Sequence, residues 1–305
     1  MARLLSALVS LGLVSSSGFY ARQSQPGRPP VIDIHSHVNA ANARRIMDSL
    51  NIRFAVVAEN RHSWANLEGM TNRYLPSLSF PCPGGLDVIF GKFSCYETQT
   101  EFPDIARVRA EVHAGRIKAF GEMLPQFLGL PPGDSKLEPY WALAEEFDIP
   151  AAIHMGPGPP GAAYEASPVP QKHPNFRMAA GDPLLLEEVL LRHKRLRLSV
   201  MHAGWPRLES MLALLYAHPN VYVDTGGLQS DRIVPRAAYY RYLQALVENG
   251  FGKRIMFGSD FPDQIEMGID AIVAADFLSA EQKTDILCNN AARFLRLDLS
   301  SCRPQ

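Results

Sequence analysis

Short apolar runs alternate with helical patterns along the chain from residue 31 onward. Most of these runs lack polar alternation, which is typical of strands buried on both faces beneath helices. They predict eight strands: Val31–His37, Arg53–Ala58, Tyr74–Phe80, Ile117–Met123, Pro150–Met155, Leu196–His202, Val221–Asp224 and Arg254–Asp260. The third position is contested, because the segment Asp87–Cys95 also fits a strand.

Helical signals fill several of the segments between these strands. Asp182 and Pro183 form an N-cap followed by proline at the first helical position. Ser279 and Gln282 fit a capping box that opens the last helix. One apolar helix face follows the spacing i, i+3, i+4, i+7, at Leu208, Met211, Leu212 and Leu215.

Strand–helix alternation repeated in this way predicts an α/β fold with a parallel sheet. Eight units favour a closed (β/α)8 TIM barrel over an open doubly wound sheet. Such a barrel needs about 250 residues, so the 305-residue chain has room for one domain, placed at 31–297, and a tail at 298–305. Two long connections, Pro81–Pro103 and Gly156–Gly181, are predicted to shape a pocket at the barrel mouth.

The first 21 residues have the pattern of a secretory leader. One Arg precedes the apolar run Leu4–Val14, and small residues follow it. The run is too short for a stable membrane anchor, and residues 22–30 are typical of a linker. We expect cleavage between Ser17 and Ala21 and export to the periplasm or the medium. The alternative is a buried N-terminal helix.

Overall charge does not select a macromolecular partner. The formal net charge is −1, so no overall field attracts nucleic acid or an anionic membrane. We therefore expect no nucleic-acid partner and no stable membrane anchor. A homo-oligomer stays open, because nothing in the pattern of the sequence determines the oligomeric state.

The cysteines leave two interpretations open. In an exported protein, Cys82 could pair with Cys95, or Cys288 with Cys302. Unpaired structural cysteines fit the sequence equally well. No two cysteines have the CxxC spacing of a thiolate zinc site.

Histidines and a carboxylate stand where predicted strands end. His35 and His37 point to the same side of the first strand, because side chains alternate along a strand. Such a pair alone is equally typical of a polar barrel mouth. His154, His202 and Asp260 end three further strands. The carboxyl ends of all barrel strands meet at one face, where active sites lie, so the set predicts a catalytic metal site.

These motifs resemble the amidohydrolase superfamily. The segments LSVMHAGWP, RIMFGSDFP and ILCNNAARFLRL resemble the branch that contains aminocarboxymuconate semialdehyde decarboxylase and the pyrone dicarboxylate lactonases, over about 31–297. The resemblance implies that His35, His37, His154 and Asp260 are metal ligands. It implies that His202 acts on the substrate or holds a second metal, and that Asp260 also accepts a proton from the metal-activated water.

Glu122 leaves the number of metal ions at one or two. It ends the fourth strand, where binuclear relatives supply a bridging carboxylated Lys or Glu and the decarboxylase branch has no acid. The alternatives are a pair with an Arg at the mouth or a hydrogen bond to a ligand histidine. The donor set favours zinc, although manganese, cobalt and iron also fit.

Candidate substrate-binding residues follow the second, fifth and sixth strands. Arg side chains there could bind a substrate carboxylate in bidentate fashion, and Trp205 could form a pocket wall. Ordinary surface charge or packing explains each of them equally well. The candidates are Arg61, His62, His173, Arg177 and Trp205. Asp224, at the end of the seventh strand, could orient a ligand or cap its own loop.

Three functions compete for a chain with these motifs. The leading one is metal-dependent hydrolysis of an ester, lactone or amide in a small-molecule substrate. The second is metal-dependent, non-oxidative decarboxylation of an unsaturated or aromatic carboxylic acid, assisted by His202. The third is a barrel that binds a metal or ligand without catalysis, against which the retained proton acceptor Asp260 argues.

Overall fold

A computed structural model of the protein describes residues 27–38, 40–59, 72–81, 102–158, 161, 163–164 and 173–303. Several sequence-based expectations lie outside these residues: the leader over 1–21, most of the linker over 22–30, the candidates Arg61 and His62, the rival strand at Asp87–Cys95, and the pairing of Cys82 with Cys95. The long connections Pro81–Pro103 and Gly156–Gly181 are described only at their ends.

Eight parallel strands form one sheet in sequential order from β1 to β8. All eight predicted strands are confirmed, most of them within two residues of the expected bounds. The strands are β1, Val31–Ser36; β2, Ile52–Glu59; β3, Tyr74–Phe80; β4, Ala119–Met123; β5, Ala151–His154; β6, Leu198–Met201; β7, Val221–Asp224; and β8, Ile255–Met256.

Hydrogen bonds between the first strand and the chain after β8 nearly close the barrel. Ile34 N donates to Phe257 O at 3.0 Å, and Ser259 N and Asp260 N donate to His35 O at 3.1 and 2.8 Å. This confirms the closed barrel over the open sheet. β8 is shorter than the predicted Arg254–Asp260, because Phe257 N donates to Ile286 O instead of to β7.

Helices surround the sheet and follow the predicted signals. The α-helices of the described residues are α1, Ala40–Ser49; α2, Ile105–His113; α3, Glu138–Phe147; α4, Glu187–Arg192; α5, Leu208–Ala217; α6, Arg236–Leu246; α7, Ile265–Ala274; α8, Ala280–Thr284; and α9, Asn290–Leu295. In this part of the chain, none of the helices has both the length and the apolar character needed to cross a membrane.

The predicted helix starts are present in the structure. Ser279 Oγ accepts from Gln282 N and the Gln282 side chain accepts from Ser279 N, which confirms the capping box. Asp182 caps a 3₁₀ turn over Pro183–Leu186, accepting from Leu184 N at 3.1 Å, and this turn leads into α4. The helix predicted after Asp182 therefore begins with a tighter turn.

Buried apolar side chains form a large cluster and a smaller second one, which includes Ile32 and Met256. The largest fully buried side chains include Trp141, Tyr239, Phe80 and Phe120. The Phe80 and Phe120 rings meet edge to face, with centroids 5.4 Å apart, a geometry that stabilises aromatic pairs by about 0.5–1.5 kcal/mol beyond area burial. Rigid packing of this kind fixes the strand ends in place.

A disulfide joins Cys288, before α9, to Cys302 in the C-terminal turn Leu299–Cys302. This confirms one of the two pairings that the sequence left open. Both cysteines are buried. The tail predicted at 298–305 is thus tied back to the barrel by a covalent bond.

Replacing Cys288 and Cys302 together by Ser should lower the free energy of unfolding by about 2–3 kcal/mol. The bond closes a loop with a sequence separation of 14, and a loop of about that length accounts for a loss of this size in the chain-entropy description. Urea unfolding without reductant, compared with the unsubstituted protein, measures the change. Equal midpoints and slopes would show that the bond does not stabilise the fold.

Candidate metal centre

Four buried side chains converge at the carboxyl end of the barrel. Donor atoms of His35, His37, Glu122 and Asp260 all lie within 4.8 Å of one another. The Glu122 Oε2 atom is 3.7 Å from His35 Nε2 and 3.4 Å from His37 Nε2, and Asp260 Oδ1 is 3.6 and 3.8 Å from the same nitrogens. Two ligands about 2.1 Å from one tetrahedral cation lie roughly 3.4 Å apart, so these spacings suit a shared cation.

A second group uses the other oxygen of the same carboxylate. Glu122 Oε1 is 2.6 Å from His154 Nδ1 and 3.5 Å from His202 Nε2, and the two ring nitrogens are 3.0 Å apart. Donor atoms of Glu122, His154 and His202 again fall within 4.8 Å of one another. Glu122 therefore lies between two groups of donors and presents one oxygen to each.

Outer hydrogen bonds decide which ring nitrogen faces the centre. His37 Nδ1 lies 3.1 Å from Ala58 O, and His202 Nδ1 lies 2.8 Å from Gly226 O. A carbonyl only accepts, so each Nδ1 carries the proton and leaves the Nε2 lone pair directed inward. Partners of this kind fix ring orientation at metal sites.

Asp224 fixes the ring orientation of His35 in the same way. Its Oδ1 atom is 3.3 Å from His35 Nδ1, and it also accepts from His202 N at 3.2 Å and from Gly226 N at 2.9 Å. The residue that ends β7 thus contacts one histidine of each donor group. This geometry favours the orienting role over a purely local loop cap.

Asp33 links the strand that carries the histidine pair to the segment after β8. It lies two residues before His35 on the same strand, accepts from Ser259 Oγ at 2.7 Å and from Ser259 N at 2.9 Å, and so joins β1 to the segment carrying Asp260. Burial raises the pKa of Asp33 to about 6, although the Ser259 hydrogen bonds oppose the shift.

The residues fit a divalent cation on chemical grounds. His35 is fully buried, and its Nε2 has no hydrogen-bond partner within the described part of the chain. Burial alone would raise the pKa of Glu122, but the histidine rings that face it, first His154 and then His202, hold it well below its usual range. A buried carboxylate beside inward lone pairs is costly without a positive charge, and a cation supplies that charge.

The pKa of His154 also suits a ligand. Burial lowers it from its ordinary value, and the neighbouring His202 lowers it further. A neutral imidazole is the form that binds a metal.

Two glycines after β7, which the sequence pattern did not single out, let the backbone approach the site. A Cβ at Gly226 would lie 2.6 Å from His35 Nδ1, and one at Gly227 would lie 2.8 Å from Asp260 Oδ2. Gly227 also has a φ of +70°, which side chains rarely adopt. In the sequence, a Gly-Gly pair shortly after a strand that ends in Asp is the pattern that could have indicated this close approach.

His173, predicted to bind substrate, is buried in an aromatic group beside the second donor set. Its ring packs edge to face on Phe127, with centroids 4.9 Å apart, and Phe127 packs on His154 at 5.2 Å. Burial lowers the pKa of His173. Substrate contact by this residue stays a prediction.

The structure describes two of the other substrate-binding candidates, Arg177 and Trp205, and the backbone N–H of Trp205 donates to His202 O at 2.9 Å. Arg177 is exposed, and its guanidinium donates to the carbonyls of Pro174 and Phe176. Trp205 is half-buried and packs against the core. Arg61 and His62 lie outside the described residues, and the substrate-binding roles of all these residues stay predictions.

The fold and site define a TIM-barrel protein with a histidine–carboxylate centre at the carboxyl ends of its strands. Residues 100–297 match the family model of the amidohydrolases, and the chain belongs to this family. Members of the family act on small-molecule substrates. No curated protein sequence matches the chain.

Solved structures share the fold at low sequence identity. One is described as a probable 2-pyrone-4,6-dicarboxylic acid hydrolase from Acinetobacter baumannii, with a TM-score of 0.60, 13% identity, and coverage of 88% of this chain and 99% of that one. Another is 2,6-dihydroxybenzoate decarboxylase from Rhizobium, with a TM-score of 0.56, 14% identity, and coverage of 88% of this chain and 99% of that one. A third is 5-carboxyvanillate decarboxylase from Sphingomonas paucimobilis, with a TM-score of 0.54, 15% identity, and coverage of 84% of this chain and 83% of that one. At these identities the likeness establishes the fold alone.

Replacing Asp224 by Asn should weaken binding of a divalent cation by about 10–100-fold, because His35 loses its charged outer partner. Titration of metal-free protein with Zn²⁺ against a competing chelator measures the change. Asp270→Asn, at an exposed position on α7, is the matched control and should bind like the unsubstituted protein. Equal affinity in the two variants would remove Asp224 from the orienting role.

Proposed function

We propose that this protein is a hydrolase that holds two divalent cations and adds water to an ester, lactone or amide bond of a small molecule. The observation that carries the proposal is the position of Glu122. Its two oxygens face separate donor groups, His35 with His37 on one side and His154 with His202 on the other. In a single-cation site the same acid would serve as a hydrogen-bond partner of a ligand histidine, as at the 2.6 Å contact with His154, and would not need to face both donor groups.

The donor set suits zinc, with manganese, cobalt and iron as further candidates. When bound, such cations lower the pKa of water from about 15.7 to near 7 and polarise a carbonyl oxygen. The histidines and Glu122 would hold the cations. The long connection that leaves β5 would help to enclose the substrate.

Asp260 is the proposed proton carrier. Its Oδ1 faces the His35–His37 pair, while its Oδ2 lies 4.0 Å from His202 Nδ1. The hydrogen bond from Asp260 N to His35 O holds the residue in place. The carboxylate accepts the proton of the attacking water and returns it to the leaving oxygen or nitrogen as the carbonyl–heteroatom bond breaks. One water is consumed, and no oxidant or reductant is needed.

The competing activity is decarboxylation, which two of the solved structures above carry in their names. Hydrolysis is favoured because Glu122 presents one oxygen to each donor group, and two cations held there would supply polarisation of a substrate oxygen and activation of water.

We also propose that the protein works outside the cytoplasm. The disulfide between Cys288 and Cys302 supports this, because such bonds persist in oxidising compartments. The leader-like pattern of residues 1–21 agrees with it.

Asp260→Asn should retain much of its bound metal and lose turnover by about 10²–10⁴-fold, the usual contribution of a positioned general base. Elemental analysis and rates on a panel of lactones, esters and amides measure the two properties together. Asp263→Asn, at an exposed position nearby, is the control and should retain full turnover. Undiminished activity in Asp260→Asn would take this residue out of the mechanism.

Glu122→Gln should reduce the metal content from about two ions per chain to one or fewer, because the amide cannot serve both donor groups as an anion. Inductively coupled plasma mass spectrometry on protein purified without chelator measures it. Glu146→Gln, exposed on α3, should leave the content unchanged. One ion in the unsubstituted protein, together with CO₂ release from an aromatic or unsaturated acid, would replace the hydrolase proposal by the decarboxylase.

A further inference from the structure

The long connection Gly156–Gly181 begins two residues after His154, and both of its described ends rest on one short turn. That turn, Pro125–Leu128, follows β4 and therefore lies just beyond Glu122. The contacts come from two adjacent residues, Gln126 and Phe127.

Gln126 joins the two ends of the connection. It is only 1% exposed, and its Nε2 donates to Gly156 O at 2.8 Å. The backbone carbonyl of Gln126 accepts from Arg177 N at 3.3 Å. At the far end, a Cβ on Gly181 would stand 2.5 Å from the Gln126 amide nitrogen, so the backbone there presses directly against this side chain.

The start of the connection touches the second donor group. A Cβ on Gly156 would lie 3.2 Å from His202 Cδ2 and 3.4 Å from His154 Nε2. The backbone at Gly156 is therefore packed beside both rings, and a small displacement of it changes the space that the rings occupy. Two hydrogen bonds join this backbone to the Gln126 side chain: Gln126 Nε2 donates to Gly156 O at 2.8 Å, and Gly156 N donates to Gln126 Oε1 at 3.5 Å.

Phe127 braces the same region from the other direction. Its ring packs on His154 at 5.2 Å, on His173 at 4.9 Å and on Phe176 at 5.2 Å. The turn thus contacts a ligand histidine and the returning end of the connection at once. A rigid element in this position transmits the placement of the connection to the rings.

We infer that Gln126 is a positioning residue that holds the start of the Gly156–Gly181 connection against His154 and His202, and so sets the affinity of the second donor group for its cation. This inference rests on the proposed two-cation site. Gln126 is not one of the donor residues. It acts through Gly156, as partners of metal ligands do at other sites.

Gln126→Met tests the inference, because it keeps the length of the side chain and removes its hydrogen bonds. Metal-free protein is titrated with Zn²⁺ by calorimetry, which resolves the two binding steps without any substrate. We expect the second step to weaken by about 10–100-fold and the first to keep its affinity. Gln244→Met, at an exposed amide on α6 that donates to Glu248, should match the unsubstituted protein in both steps.

Gly181→Ala reaches the same amide from the far end of the connection, in case Gln126→Met does not fold. The added Cβ displaces the Gln126 amide without removing it. We expect the same selective loss of the second step. Gly133→Ala, where a Cβ would meet nothing closer than 4.0 Å, is the control for adding a methyl group.

The outcomes separate the two proposals. Two steps in the unsubstituted protein with unchanged second steps in both variants would overturn the role of Gln126 and leave the proposed function intact. Equal weakening of both steps would show a structural role alone and also overturn it. One step or none in the unsubstituted protein would contradict the two-cation site itself, and with it this inference.

Discussion

The carbonyl oxygen of His35 is the point on which the structure depends. It accepts N–H groups from Ser259 and Asp260, so the bonds that draw the last strand against the first also bring Asp260 to the histidine pair. Asp33 strengthens the same junction through Ser259. The same hydrogen bonds therefore close the barrel and assemble the site, since the donor atoms of His35 and Asp260 cannot meet in an open sheet.

Burying charge is the second constraint. Glu122 and Asp260 are 3% and 4% exposed, and their neighbours in the site are imidazoles whose outward nitrogens are held by Ala58, Asp224 and Gly226. Rings that bind a cation are neutral, and neutral rings cannot balance two carboxylates in a region of low dielectric. The two buried carboxylates therefore need a compensating positive charge. Divalent cations would supply this charge, and they would also activate the water that the proposed hydrolysis requires.

Much of this site can be predicted from the sequence. An apolar run that ends in His or Asp places that residue at the barrel mouth, which is why the pattern of strand ends alone groups His35, His37, His154, His202 and Asp260. From the sequence, a position of Glu122 between two donor groups is only one of several alternatives. It depends on how β4 packs beside β3, where Glu122 N donates to Ser79 Oγ. The contacts of Gln126 and Gly226 join segments far apart in sequence, and no periodic pattern encodes such contacts.

The glycine pair after β7 has a consequence for how such a site diversifies. Side chains at Gly226 and Gly227 would collide with His35 and Asp260, so this wall of the active site admits almost no sequence variation. New substrate preferences must then arise at other positions around the site. This glycine pair thereby fixes one part of the site, and selection for a new substrate has to act elsewhere.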